Sequence, residues 1–222
     1  NRFDLGALPV ERIVVAGEPG GSLPAVRTQI ENHWNAQVID HAGATEVGPW
    51  GVADAEHRGL HVIESEFIAE FESIDTGLPA AEGELSHLVL TTLGRRGAPL
   101  IRYRTGDLVR PKFSEHGFVL LDGGVIGRAD DMVIIRGVNV FPSSIEQIVR
   151  GFADVIEYRL TARRDGALDT LALEVEDRGN QPARIADQLR RQLGLNVDVQ
   201  AVPLGSLPRF EGKGRRFVDQ RS

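Results

Sequence analysis

The 222 residues predict a mixed α/β (α+β) protein in two parts: a larger one over 1–127 and a smaller one over 132–222, joined at 128–131. Three observations carry this. Residues 10–46 alternate strand, glycine turn, helix and strand. Residues 59–121 break into short β-like runs separated by Gly, Pro and charged turns. From Val125 the order becomes strand, helix, strand, strand, helix, strand.

The elements follow in chain order. Val10–Ala16 (VERIVVA) reads as a strand ended by Gly17 and the turn formers Pro19, Gly20 and Gly21. Ser22 is placed to cap a helix from about Pro24 to Trp34. Gln37–Asp40 reads as a short strand running into the polar glycine loop HAGATEVGPWG. In α/β sheets ligands gather at the carboxyl ends of strands. Gly17-Glu18-Pro19 and Gly43-Ala44-Thr45-Glu46 would both sit there. GLHVIESEFIAEFE, GELSHLVLTTL, LIRYRTGDLVR and GFVLLD predict a barrel-like or antiparallel subdomain. Met132–Ile135 reads as a strand. Phe141-Pro142-Ser143-Ser144 starts a helix with Ser143 or Ser144 as cap and Ile145, Ile148, Val149 and Phe152 as its apolar face. Strands at Glu157–Ala162 and Thr170–Val175, a helix over Pro182–Leu193 and a strand near Val197–Val202 complete the chain.

Bulk chemistry narrows the function classes. A formal net charge of −7 argues against nucleic acid or an anionic membrane as the main partner, though not against a small anion held by local arginines. With no cysteine there is no disulfide, thiolate metal site or cysteine nucleophile. No apolar run reaches the length of about 18 residues that crosses a membrane. The first residues lack a signal pattern, so a cytoplasmic protein is expected. The chain begins near a strand and without an initiator Met, so a piece of something longer is expected.

Three motifs can carry chemistry, and each has a plain alternative. In Tyr103-Arg104-Thr105-Gly106-Asp107 a strand ends in a tight turn whose Asp could accept two vicinal ribose hydroxyls. A structural turn with Asp107 bonding its own backbone is the plainer account of the motif taken alone. In His41-Ala42-Gly43-Ala44-Thr45-Glu46 a hydroxyl could meet phosphate and a carboxylate a divalent cation. A solvated polar loop is the alternative. Gly212-Lys213-Gly214-Arg215-Arg216 could bring a lysine to a phosphate, or be a basic tail. The six histidines show no metal spacing, and no Ser-His-Asp arrangement follows from the sequence.

Taken in order, GEP, GATE, YRTGD, GRADD…RGVNVFPSSIE and LPRFEGKGRR resemble the C-terminal half of an acyl-adenylate-forming enzyme. The likeness is strongest to phenylacetate–coenzyme A ligase and related aryl-CoA ligases. It covers nearly the whole chain, and IRYRTGDL and GRADDMVIIRGVNVFPSSIE are its most specific parts.

The resemblance implies a partial large adenylation domain followed by a small mobile domain. It implies a two-step reaction using ATP, Mg²⁺ and coenzyme A: a small aromatic carboxylic acid is joined to AMP, then handed to the CoA thiol. Gly17, Glu18 and Pro19 would line the adenine, with Asp40, His41, Ala42 and Gly43 as the facing wall. Thr45 would meet phosphate and Glu46 would hold Mg²⁺. Asp107 would take the ribose hydroxyls, and Arg128 would also contact the nucleotide. Lys213 would bridge the acid and the α-phosphate. Asp130 would be the hinge, and Asp131 a polar support placed to pair with a nearby arginine. Arg136 and Gly137 would face CoA. A homodimer is a family expectation.

The chain departs from the family pattern in two ways. Ala42 stands where the family usually has an aromatic that stacks on adenine. No Ser/Thr/Gly-rich phosphate loop is found, so a chain of these limits is not expected to run the full reaction alone. Two other readings follow: a non-catalytic truncated homologue that binds nucleotide or a partner, and an adenylating enzyme that loads a carrier-protein thiol.

Overall fold

The computed structural model describes residues 4–17, 24–53, 56, 58–113, 117–166, 168–209 and 216–221. The chain forms two compact units, Asn1–Asp130 and Asp131–Ser222. Its fold class is the expected one, mixed sheets with few helices.

In the first unit, Asp4 accepts the Gly6 N–H at 3.1 Å and starts a short 3-10 turn, Leu5–Ala7. Strand β1 (Arg12–Ala16), helix α1 (Pro24–Trp34) and strand β2 (Gln37–Ala44) form a β-α-β unit. β1 and β2 run parallel, from Arg12 opposite Gln37 to Ala16 opposite His41. Proline at the first helical position needs no hydrogen-bonded N–H, which suits α1 to begin at Pro24. The proposed cap, Ser22, lies outside the described residues.

The sheet continues antiparallel through β3 (Gly48–Ala53), β4 (Gly59–Val62), β9 (Leu120–Asp122) and β8 (Pro111–Lys112), in the order β1-β2-β3-β4-β9-β8. A second, fully antiparallel sheet has the order β10-β7-β6-β5, from β5 (Phe67–Ser73), β6 (Ser86–Thr92), β7 (Tyr103–Val109) and β10 (Gly127–Arg128). Of the two expected forms, the antiparallel one is present. Trp50, Leu60, Phe71, Leu88, Leu90 and Leu121 lie in one core cluster drawn from both sheets. Phe67 and Phe71 of β5 and Leu88 and Leu90 of β6, at even spacings along each strand, supply that apolar face.

Two motifs expected in turns lie in strands. His41–Ala44 extends β2, pairs with Gly48–Val52, and shifts register between Ala42 and Gly43. Thr105-Gly106-Asp107 lies inside β7. Gly106 has φ +83. A glycine within a strand can mark a local irregularity rather than a stop, and β6 and β7 shift register nearby, between His87 and Val89.

The second unit opens with the hairpin β11 (Val133–Ile135) and β12 (Val138–Val140). Then come α2 (Pro142–Arg150), β13 (Val155–Asp165), β14 (Leu168–Asp177), α3 (Pro182–Leu193), β15 (Asp198–Ala201) and β16 (Phe217–Asp219). Sheet order is β15-β14-β13-β16, with β13 and β14 antiparallel and the outer strands parallel to their neighbours. β12 and β16 were not expected from the sequence. The cap of α2 also differs: Phe141 holds the N-cap position without a side-chain hydrogen bond, Pro142 follows, and Ser143 and Ser144 lie within the first turn. Proline fixes the helical φ one residue earlier than a serine cap would require. Ile145, Ile148 and Val149 of α2 and Ile185 and Leu189 of α3 pack against Tyr158, Leu160, Leu173 and Val175 of the sheet. Gly194 ends α3 at φ 69, the left-handed cap that favours glycine.

Candidate functional site

The carboxyl ends of β1 and β2 hold the first group of expected site residues. Gly17 follows β1 at φ +81, a conformation costly for residues with a Cβ. Glu18 and Pro19 lie outside the described residues. Asp40 is buried, and its carboxylate accepts the His41 N–H at 2.9 Å. Ala42 packs on the core cluster. At Gly43 the strands run close: an added Cβ would lie 3.1 Å from the Gly48 carbonyl oxygen and 3.2 Å from the Pro49 Cα, so the neighbouring backbone would have to give by a few tenths of an ångström. The β2–β3 turn then presents Thr45 and Glu46 to solvent, while Val47 is buried and pins the turn. The Arg95 guanidinium donates to the Glu46 carbonyl. Sequence reasoning missed this arginine. The only local signal was the paired arginines in Gly94-Arg95-Arg96-Gly97, and the contact joins residues 49 positions apart.

A second group forms where β7 pairs with β10, with Asp107 opposite Arg128. Thr105 sets the local geometry. Its hydroxyl donates to the Leu88 carbonyl at 3.1 Å and accepts the Asp107 N–H at 3.0 Å. Asp107 is thereby fixed through its own backbone, and 17% of its side chain stays exposed. Arg128 reaches three groups: Asp107 Oδ1 at 3.5 Å, Asp130 Oδ1 at 3.0 Å and the Thr105 carbonyl at 3.4 Å. Gly106 makes room for it; a Cβ there would stand 2.5 Å from Arg128 Nη2. The hydrogen bond from Arg128 holds the Asp130 carboxyl below its ordinary range. Of the adjacent aspartates in the 3-10 turn Ala129–Asp131, Asp130 takes this arginine, whereas pairing had been expected of Asp131.

The third group belongs to the second unit. Arg136 and Gly137 form the two-residue tip of the β11–β12 hairpin, both at positive φ, 50 and 79. That is the loop whose twist matches a tight antiparallel hairpin. Arg136 Nε donates to the Asp169 carbonyl at 3.2 Å. Arg164 and Arg221 hold the Asp169 carboxylate, each at 3.1 Å. These residues line an open groove of about 560 Å³ with Ile134 and Leu168. Hydrogen bonds from Arg164, offset by desolvation and reinforced by Arg221, keep the Asp169 carboxyl below its ordinary range. Lys213 lies outside the described residues.

Thus the structure brings Asp107, Arg128 and Asp130 into one cluster, and places Asp40 to Glu46 along one strand and its turn. Among the described residues, no group of three or more His, Cys, Asp or Glu side chains could hold a metal. Nor is any helix among them long and apolar enough to cross a membrane.

Comparison with known proteins places these features in a family. Residues 137–221 match the AMP-binding enzyme C-terminal domain. The phenylacetate–coenzyme A ligase of Escherichia coli K12 is 36% identical over 213 residues, covering 89% of this chain and 49% of that protein. The phenylacetate–coenzyme A ligase of Thermus thermophilus is 32% identical over 246 residues, covering 96% of this chain and 55% of that protein. The chain thus spans about half the length of the curated relatives it matches. Among solved structures, 2-hydroxyisobutyryl-CoA ligase in its postadenylation state, in complex with an acyl-AMP, matches 99% of this chain and 50% of its own at 26% identity and TM-score 0.87. The chain therefore belongs to the acyl-adenylate-forming enzymes, in their phenylacetate–coenzyme A ligase-like branch.

Proposed function

We propose that this chain is part of an ATP-dependent aryl-acid coenzyme A ligase. A carboxylate oxygen attacks the α-phosphorus of ATP and pyrophosphate leaves. The CoA sulfur then attacks the acyl carbon, AMP leaves, and the thiol proton goes to solvent. The observation that carries this reading is the β7–β10 cluster: an aspartate fixed by its backbone, its side chain 17% exposed, with an arginine beside it. That geometry suits the vicinal hydroxyls of a ribose, with a cation beside the phosphates.

The remaining roles follow the family. Glu18, Pro19 and Gly17 line the adenine, with Asp40 to Gly43 opposite. Thr45 meets phosphate. Glu46 fits a magnesium site, because Mg²⁺ usually takes one or two carboxylates, keeps several waters and shares the substrate phosphates. An exposed carboxylate on a short turn meets that need. When bound, Mg²⁺ would neutralise charge on the phosphates. Lys213 neutralises the charge that builds as two anions approach. Asp130 is the hinge, a position that absorbs backbone change between the two half-reactions. Arg136 and Gly137 face CoA, which glycine lets pass close to the backbone. The substrates are those of a cytoplasmic enzyme.

The test is acid-dependent pyrophosphate release, measured on the complete reading frame with a panel of aryl acids, with and without CoA. Release with an aryl acid, and thioester only when CoA is added, is the expected result. Lys213→Ala should slow release roughly 10²–10³-fold. No release with any acid overturns the reading.

A further inference from the structure

We propose that Arg136 and Arg164 form a clamp for a phosphate of coenzyme A, with Asp169 as the residue that positions both. This rests on the reading above that the β11–β12 tip faces coenzyme A. The clamp stands where two hairpins of the second unit meet. One is β11–β12, with Arg136 and Gly137 at its tip. The other is β13–β14, where Arg164 and Asp169 are register partners one step from the turn. Gly166 lies in that turn at φ 60. A Cβ added at Gly137 or at Gly166 would meet nothing within 4 Å, so the space beside both turns is open.

Asp169 joins the two hairpins. Its carbonyl accepts Arg136 Nε at 3.2 Å. Its carboxylate accepts Arg164 Nε and Arg221 Nη1, each at 3.1 Å. Arg221 is committed to the fold: it also donates to the Ile134 carbonyl at 3.0 Å and to both oxygens of Asp219 at 2.9 and 2.6 Å. Only 19% of its side chain is exposed. Arg136 and Arg164 differ. Each is held through Nε, and among the described residues the terminal nitrogens of both are without a hydrogen-bond partner. Arg164 keeps 58% of its side chain exposed.

An arginine that serves only to hold the fold can spend its fork on a carboxylate. Arg209 does so, placing Nη1 and Nη2 on the two oxygens of Glu176 at 2.9 and 2.6 Å and drawing that carboxyl down to about 2. Arg136 and Arg164 are oriented by Asp169 while their forks stay available. A guanidinium fork matches two phosphate oxygens at once. The groove lining carries three arginines against one aspartate, a local positive excess in a chain of net charge −7. Its volume of about 560 Å³ exceeds the needs of a phosphate alone. Ile134 and Leu168, each 55% exposed, add an apolar wall, which suits the uncharged arm that links phosphate to thiol.

The experiment follows thioester formation from supplied acyl-AMP, on the complete reading frame, with coenzyme A, dephospho-coenzyme A or pantetheine as acceptor. Arg164→Gln should raise the Michaelis constant for coenzyme A roughly tenfold, as for lost charge-assisted hydrogen bonds. The constant for pantetheine, which has no phosphate, should stay that of the parent. Asp169→Ala should give the same pattern at several-fold, because Arg164 keeps its charge and loses its direction. A rise that persists with dephospho-coenzyme A assigns the clamp to the diphosphate; a rise that disappears assigns it to the 3′-phosphate. An equal rise with pantetheine, or no rise with coenzyme A in Arg164→Gln, overturns the proposal. If the unaltered protein forms no thioester, the coenzyme A ligase reading fails, and calorimetry with free coenzyme A decides about the clamp. Roughly tenfold weaker binding to Arg164→Gln then upholds it, and equal binding, or none to the parent, overturns it.

Discussion

The two units use the same pair of side chains, a carboxylate and an arginine, in opposite ways. At Asp107 the carboxylate keeps 17% of its side chain exposed, and Arg128 stands 3.5 Å away while also engaging Asp130 and the Thr105 carbonyl. Position comes from the backbone, through Thr105. At Glu176 the carboxylate is fully buried, gripped at 2.9 and 2.6 Å by one arginine and bonded by a backbone N–H. Position there comes from the ion pair itself. The acceptor proposed to take a ligand is oriented by groups other than its charge partner. An acceptor meant to hold the chain is filled by the chain.

Three variants break or sharpen that contrast. Asp107→Asn should have the largest effect. It keeps shape but removes charge, so the Michaelis constant for ATP should rise roughly tenfold or more, as for a lost charge-assisted hydrogen bond. The thermal midpoint should hardly move. A large drop in midpoint with unchanged ATP dependence would make Asp107 a structural residue like Glu176. Gly106→Ala comes next. A Cβ at φ +83 costs about 1–2 kcal/mol, and it would displace the Arg128 guanidinium 2.5 Å away. Denaturant unfolding and nucleotide titration should show both a small loss of stability and weaker binding. Binding alone, with full stability, would mean that the backbone relaxes out of this conformation.

The third effect is a dependence on pH. Glu176 is depressed from 4.5 to about 2 when folded. Its contribution is therefore complete above pH 4.5 and lost as pH falls towards 2. Glu176→Gln should be less stable than the parent at neutral pH, and the two stability curves should converge as acid approaches pH 2. Parallel curves through that window would show that Glu176 does not hold its charge against protons.

What was legible in the sequence was local. The limits of α1 and α3 follow from proline at the first helical position, and from glycine after the end of α3. Most core strands followed from apolar runs between turn formers, but β3 did not: residues 48–51, with the buried Trp50, read as part of a polar glycine loop. Short pieces were not legible: β12 and β16 have three residues each, too few to show a period. Glycines misled at two points, because Gly43 and Gly106 lie within strands rather than ending them. The site was legible only as separate motifs whose roles came from resemblance. Arg95 with Glu46, and Arg216 with Glu157, lie 49 and 59 positions apart, and no local pattern announces such pairs. The sequence assigned an arginine partner to Asp131; the structure gives Arg128 to Asp130.

The register shift in β2 has a consequence for how this family member can vary. Ala42 lies opposite Gly51, and a Cβ added at Gly51 would stand 3.3 Å from the Ala42 Cβ. One small volume between β2 and β3 is thus shared by two positions. A Cβ at 51 needs Ala42 to give by a few tenths of an ångström, so position 42 answers to its neighbour across the sheet. Substitutions at 42 and 51 are coupled, and should be made and measured together.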